Sequence, residues 1–308
     1  MVGGGGGDGG SEGMIMREEK MKPKEKKKVV SLSVLVLTKN EGKFIGDCLK
    51  SVCGWADEVV LADTGSTDET LEIAKRFEIR VFQTLKGGSF CDWRNFILSE
   101  AKGDWVFYLD ADERATEKLK EEIDQRVGRE TYQAYAIPRR NFLLKQEMKH
   151  GGWAPDYVKR LFERRKLSGW RGELHEEPVF CGEMGHLREP MIHIQPETLE
   201  PMVEKSIKWS KIEAKLLFDA GHPKVVWWRV LRMGLTTFWL RYVCKRGFLD
   251  GAGGFIIAAY QAYHTMIVYM QLWEMQNSNQ KSRLRSALAR QVKVKSPSYA
   301  KATEGKQK

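Results

Sequence analysis

Between residues 29 and 127 short apolar runs alternate with segments of helical periodicity, and this alternation restricts the fold more than any other feature. Val29–Leu37 is apolar, β-branched and too short for a typical helix, which predicts a buried strand. Gly42–Cys53 follows, with Phe44, Ile45, Leu49 and Val52 at helical spacing. Glu58–Ala62 is a second strand, and Ser66-Thr67-Asp68-Glu69 has the capping-box pattern ahead of a helix over Thr70–Phe77. Ile79–Phe82 and Trp105–Leu109 add two strands, and Phe90–Ala101 and Thr116–Val127 add two helices. This order predicts a parallel sheet covered by helices on both faces. Beyond Tyr132 the strands shorten to Ala134–Ile137, Val158–Phe162, Val179–Phe180 and Met191–Ile194, separated by Gly- and charge-rich loops. They predict an antiparallel edge that makes the sheet mixed. Three helical stretches follow, over 202–219, 224–246 and 252–276.

The charge divides along the same boundaries. The 308 residues carry a formal +10, but residues 31–200 hold 25 basic and 30 acidic groups, net −5. Residues 201–308 hold 19 and 6, net +13. The expected organisation is a disordered Gly- and Lys/Glu-rich leader over 1–28 and a catalytic α/β domain over 29–200. A helical, membrane-associating extension over 201–278 and a basic flexible tail over 279–308 complete it. The leader has no apolar core for a secretory signal, and Val2 excludes N-myristoylation. Five cysteines without a C-x-x-C pair argue against a disulfide scaffold or a structural zinc site and for a reducing compartment.

In open α/β sheets ligands bind outside the carboxyl ends of the strands. There the sequence places Thr38-Lys39-Asn40-Glu41, then Asp63-Thr64-Gly65-Ser66-Thr67-Asp68, then Asp110-Ala111-Asp112-Glu113. A rim of carboxylates repels phosphate unless a divalent cation intervenes. Two aspartates in D-x-D spacing at a strand end can offer oxygens to one hard cation, Mg²⁺ or Mn²⁺, that also takes diphosphate oxygens.

These three motifs, in this order over roughly residues 31–195, resemble the family 2 glycosyltransferases of GT-A fold. That resemblance implies a GT-A (Rossmann-like) mixed sheet with helices on both faces, followed here by a C-terminal helical extension. Phe90-Cys91-Asp92-Trp93-Arg94-Asn95, Tyr157-Val158-Lys159-Arg160-Leu161-Phe162, Gly172-Glu173-Leu174-His175-Glu176 and Lys245-Arg246-Gly247-Phe248-Leu249-Asp250-Gly251 are most similar to the bacterial lipopolysaccharide core-biosynthesis glucosyltransferase branch. The resemblance implies that Asp63 hydrogen-bonds the nucleotide base, with Thr38, Asn40, Glu41 and Ser66 on the donor side of the pocket. It implies Asp110 near the ribose and metal, Asp112 and His193 as cation ligands, and Arg94 against the diphosphate charge. It further implies an inverting transfer from a nucleotide sugar, UDP-glucose, to a glycan or glycolipid acceptor. One carboxylate must then take the acceptor's proton. Glu176 occupies the family's position for it, with Glu173 and Glu177 as alternatives.

Residues 224–246 carry six cations and no acid, interleaved with Trp227, Trp228, Phe238, Trp239 and Tyr242. Basic, Trp-rich helices suit the headgroup layer of an anionic membrane. Gly251 to Trp273 lacks formal charge and is long enough to span a bilayer. Gln261, His264 and Gln271 nevertheless share one side, which argues for an amphipathic helix lying against protein or membrane. The expected location is cytoplasmic, peripheral on the inner face of the cell membrane. Nucleic acid is not an expected partner, since no finger, RNP or helix-turn-helix signature is present. Two other readings stand beside the transferase: a membrane- or nucleic-acid-binding protein with an inactive α/β domain, and a sugar nucleotidyltransferase. The latter lacks its Gly-rich, Arg-containing loop after the first strand.

Overall fold

The computed structural model describes residues 30–83, 88–129, 131–172 and 176–295, and from 279 onward the course of the backbone alone. The leader, the chain beyond Lys295, the base candidate Glu173 and His175 lie outside the described residues.

The alternating half folds as its periodicity predicts. Strands β1 (Leu32–Thr38), β2 (Glu58–Asp63), β3 (Arg80–Gln83) and β4 (Trp105–Asp110) pair in the parallel order β3-β2-β1-β4. Between and after them come α1 (Gly42–Val52), α2 (Thr70–Ala74), α3 (Phe90–Glu100), the short β5 (Glu113–Arg114) and α4 (Glu117–Arg126). Every residue of β1 is buried, because both faces are covered. On one face Val34, Val36, Ile45, Leu49, Phe107 and Ile123 pack together, and on the other Leu35, Val60, Ile97, Tyr108 and Trp170. Gly103 precedes β4 where a Cβ would meet the Ser33 amide at 2.7 Å, so only glycine permits this approach of loop to strand.

The sheet continues through β6 (Ala134–Leu143), β7 (Gln146–Met148), β8 (Tyr157–Glu163), β11 (Met184–His186) and β12 (Met191–Ile194); β9 (Leu167–Arg171) and β10 (Glu177–Phe180) form a separate ribbon. The edge is only partly antiparallel. β8 runs antiparallel to β4 and β6, whereas β11 and β12 run parallel to β6. The expected strand over Ala134–Ile137 is ten residues long, because its second half pairs with β7 and β12 after β8 leaves it.

Two local expectations fail around α2. Ser66 does not open a capping box: its hydroxyl bonds Asp63 and accepts from the Asn40 amide at 2.8 Å, and Glu69 is the N-cap without a side-chain bond. Loop-to-loop bonds compete with capping and win here, and α2 ends at Ala74 rather than Phe77. A capping box does form at α3, between Ser89 and Asp92.

The extension comprises α5 (Leu199–Asp219), α6 (Trp227–Trp239) and α7 (Gly251–Lys295). The stretch expected as one helix over 224–246 starts at Trp227 and passes into a π-helical turn over Leu240–Cys244. The last helix continues past 276 to Lys295, since Ala, Leu and Arg in 281–295 favour helix. Its polar side is spent inside the protein. His264 bonds Ser206 and Glu213, Tyr260 bonds the Met202 carbonyl, and Thr265 bonds Thr237. Asp250 docks the extension on the sheet by accepting from the amides of Lys149 and His150 at 3.1 and 2.8 Å.

Candidate active site

Thr38, Glu41, Thr64, Phe90, Arg94, Asp110 and Asp112 line a cavity of about 200 Å³ at the carboxyl ends of β1, β2 and β4. Lys205 enters it from α5. The cavity therefore forms where the strand ends, α3 and the extension meet.

The first two strand-end loops are stapled to each other. Asn40 adopts a left-handed conformation, φ +54°, that asparagine tolerates. Its Oδ1 accepts from the Thr67 amide at 2.7 Å. Asp63 is buried, and its carboxylate accepts from the amides of Gly65 and Ser66. Asn40, Asp63 and Ser66 thus shape the wall behind the cavity rather than its lining. The hydroxyl of Thr38 is buried at the lining and has no hydrogen-bond partner among the described residues. Glu41 is raised to about 7, first by burial and then by Asp112, with Lys205 opposing.

Asp110 sits in a guanidinium clamp. Arg94 Nη2 reaches it at 3.3 Å, and Arg160 makes a short bidentate contact with its two oxygens. Burial opposes its ionisation, but Arg160 and then Arg94 outweigh that and hold the carboxyl far below the ordinary range. With both oxygens taken, Asp110 is placed to orient the site more than to ligate a cation. Arg94 is committed in the same way: Nε donates to Glu176 Oε2 at 3.0 Å, and the guanidinium lies 4.7 Å from the Trp170 ring.

The clamp belongs to a longer chain of bonds. The fully buried Glu113 takes Arg160 and Arg139 on Oε1, at 3.1 and 3.2 Å, and the Asp110 amide on Oε2. Arg139 also pairs with Asp156 at 2.8 Å, and Asp156 accepts from Asn141 Nδ2. Asn141 reaches His193. Its Nδ2 donates to Asp156 and the Trp153 carbonyl, both at 2.9 Å, so its Oδ1 must face His193 Nδ1, at 2.6 Å. Nδ1 then carries a proton, and Nε2 is turned toward Gln195 Nε2, at 3.3 Å, and Asp112.

Nε2 of His193 points at Asp112 Oδ2 from 3.5 Å. An imidazole nitrogen and a carboxylate oxygen this close are joined by a proton or by a shared cation. This donor pair fits a divalent ion, and a nitrogen ligand beside a carboxylate suits Mn²⁺ better than Mg²⁺. Among the described residues no three His, Cys, Asp or Glu side chains converge on one point. The protein would supply two ligands and leave the remaining positions to ligand oxygens and water.

Arg139, Asn141, Asp156 and Lys205 escape a reading from sequence, while Glu113 and Arg160 fall inside motifs that assign them no role. A cation or amide inside an apolar strand is the available signal: Arg160 precedes Leu161 and Phe162, and Asn141 precedes Phe142 and Leu143.

A family model described as glycosyl transferase family 2 matches residues 33–190. An uncharacterised glycosyltransferase of Rickettsia conorii is 25% identical over 273 residues, covering 82% of this chain and 92% of that protein. The lipopolysaccharide core biosynthesis glycosyltransferase LpsC of Rhizobium meliloti is 24% identical over 260 residues, covering 79% and 92%. Among solved structures, a mannosyltransferase of Pyrobaculum calidifontis in complex with GDP-Man and Mn²⁺ aligns at TM-score 0.46 and 14% identity, covering 80% and 87%. The family match takes in all three strand-end motifs and more than half of the chain, which belongs to glycosyltransferase family 2.

Proposed function

We propose that the protein is a metal-dependent inverting glycosyltransferase that moves glucose from UDP-glucose to a hydroxyl of a lipopolysaccharide-core or other cell-surface glycan. The observation that carries this reading is the approach of His193 Nε2 to Asp112 Oδ2, 3.5 Å, beside a cavity at the strand ends. Asp112 and His193 would hold a divalent cation there, which would supply Lewis-acid stabilisation of the departing nucleoside diphosphate. Thr38 offers its free hydroxyl to the donor, and the stapled loops of Asn40 and Asp63 fix the wall against which the nucleoside rests. Arg94 fixes the orientation of Glu176 through Oε2, leaving Oε1 to take the acceptor's proton. The acceptor oxygen bonds to the anomeric carbon as the carbon–phosphate-oxygen bond breaks, and the bonding pair leaves with the diphosphate. Similarity to LpsC supports the lipopolysaccharide-core assignment.

The acceptor chemistry agrees with the outer surface of the extension. α7 and its neighbours place polar groups inward, while Trp227 (75% exposed), Leu235 (71%) and Trp239 (61%) face outward. At 3.6 residues per turn, Trp227, Leu231, Leu235, Trp228 and Trp239 share an arc of about 120°, with Arg232 and Arg229 beside it. Such a stripe matches partial insertion into an anionic leaflet. No helix among the described residues is long and apolar enough to cross a membrane. The reading therefore is peripheral attachment, on the cytoplasmic face where nucleotide sugars are supplied.

The test is incubation with Mn²⁺ or Mg²⁺ and a panel of nucleotide sugars, scoring release of nucleoside diphosphate. Metal-dependent release from UDP-glucose is expected, and Asp112→Ala should abolish it. Equal turnover by Asp112→Ala, or by protein stripped of metal, overturns the proposal.

A further inference from the structure

We propose that Lys205 of α5 binds the diphosphate of the nucleotide donor, so that the helical extension completes the donor site instead of only adjoining it. This rests on the nucleotide-sugar reading of the cavity. Lys205 lies outside residues 33–190, the segment that the family model matches, yet its side chain lines the same cavity as Thr38, Asp110 and Asp112.

The position of Lys205 is fixed by its neighbours on α5. One turn later, Trp209 stacks on Phe90 of α3, with ring centroids 6.4 Å apart and planes 26° from parallel. Phe90 also lines the cavity. Residues four apart share a helix face, so this stacking aims Lys205 at the cavity mouth. On the adjacent face Met202, Ser206 and Ser210 are buried, and the bonds of Ser206 to His264 and of the Met202 carbonyl to Tyr260 tie α5 to α7. The helix carrying the lysine is anchored on two sides.

The charges around the cavity leave a cation's task unfilled. Arg94 is held by Asp110 and Glu176, and Arg160 by Asp110 and Glu113. Lys39 also lines the cavity, and neither it nor Lys205 makes an ion pair within 4 Å with another described residue; of the two, Lys205 stands on a helix held by the stack of Trp209 on Phe90. Lys205 nevertheless acts across the cavity on Glu41, whose carboxylate it favours against burial and Asp112. The donor's diphosphate carries two negative charges, which together with Asp112 exceed one divalent ion, and the excess grows by one as the nucleoside diphosphate departs. An ammonium on a flexible stem at the mouth answers that excess as a point charge, the manner in which lysine binds phosphate.

Binding to the full-length protein in the presence of Mn²⁺ tests this, with calorimetry for UDP and ligand-observed NMR for uridine. Lys205→Ala should weaken UDP about tenfold, the loss of one charge-assisted contact, and leave uridine unchanged. Lys205→Arg should restore most of the UDP affinity, and Lys208→Ala on the same helix should behave as wild type. Unchanged UDP affinity in Lys205→Ala overturns the proposal. So does an equal loss for UDP and uridine, which marks a merely structural role, or a failure of Lys205→Arg to rescue. If the wild type binds UDP and releases it from a sugar donor while Lys205→Ala is silent, this proposal falls and the transferase reading stands. If the wild type binds neither UDP nor GDP, both fall.

Discussion

Nε of Arg94 donates to Oε2 of Glu176 at 3.0 Å while Nη2 of the same guanidinium reaches Asp110 at 3.3 Å. One planar cation therefore sets the distance between the candidate base and the first aspartate of the D-x-D motif. Lysine cannot span two carboxylates in this way. Arg94→Lys should keep the fold and lower kcat about 100-fold, the scale of a small misplacement of reacting groups. Steady-state kinetics alongside thermal unfolding separates the two effects.

Asn141 fixes a proton of His193 on Nδ1 and so turns Nε2 toward Asp112. Replacing such a supporting group commonly lowers metal affinity by about 10- to 100-fold. Asn141→Leu should weaken Mn²⁺ binding in that range, and His193→Ala should weaken it further. Titration followed by electron paramagnetic resonance reads both without reference to turnover.

Glu41 is the acidic group of the cavity whose protonation falls near neutrality, about 7, raised by burial and by Asp112, Asp68 and Asp110 against Lys205. A carboxyl raised in the folded state stabilises that state fully below its unfolded value, about 4.3. The contribution is lost as pH rises through about 7. Metal-free protein should lose stability over this window, and Glu41→Gln should not. After allowance for the exposed part of the side chain, the variant should be about 1–2 kcal/mol more stable at pH 8 and equal at pH 4. Urea unfolding at the two pH values decides it.

Glu113 is fully buried between Arg160 and Arg139. Glu113→Gln removes one charge and leaves the buried Arg160 under-compensated, a change that typically costs about 3–5 kcal/mol. Loss of stability should come with loss of activity, because the Glu113 carboxylate also holds the Asp110 amide. A stable variant with intact kinetics would contradict this account.

On the proposed membrane reading, the aromatic and the basic side chains of α6 should contribute separately to lipid binding. Trp227→Ser with Trp239→Ser should reduce flotation with all vesicles, since it removes inserted apolar surface. Arg229→Glu with Arg232→Glu should abolish the preference for anionic over neutral vesicles, an effect that salt mimics. Neither pair touches the cavity, so nucleoside diphosphate release without lipid should persist.

The strand-end motifs and the alternating half of the fold were legible in the chain, because periodicity and buried apolar runs are local properties. Thr38, Glu41, Asp110 and Asp112 meet at one cavity, as strand-end placement implies, and Arg94 joins them from α3. Asn40, Asp63 and Ser66 were found by motif, but their bonds to one another appear only when two loops are brought side by side. The mixed edge was legible as short strands, though not in direction, since pairing of β11 and β12 with β6 depends on neighbours distant in sequence.

What the sequence by itself determined is a parallel α/β core, three acidic strand ends and a basic, aromatic extension. Tertiary structure alone decided which charges those strand ends keep. Arg160, fifty residues from Asp110, takes both of its oxygens, and Asn141, fifty-two residues from His193, sets its tautomer. It also carried Lys205 to the cavity by docking α5 on α3. The physical reason is common to all three. A buried ionic or tautomeric state depends on which partner stands within hydrogen-bond distance, and such partners are chosen by packing between elements rather than by spacing along the chain.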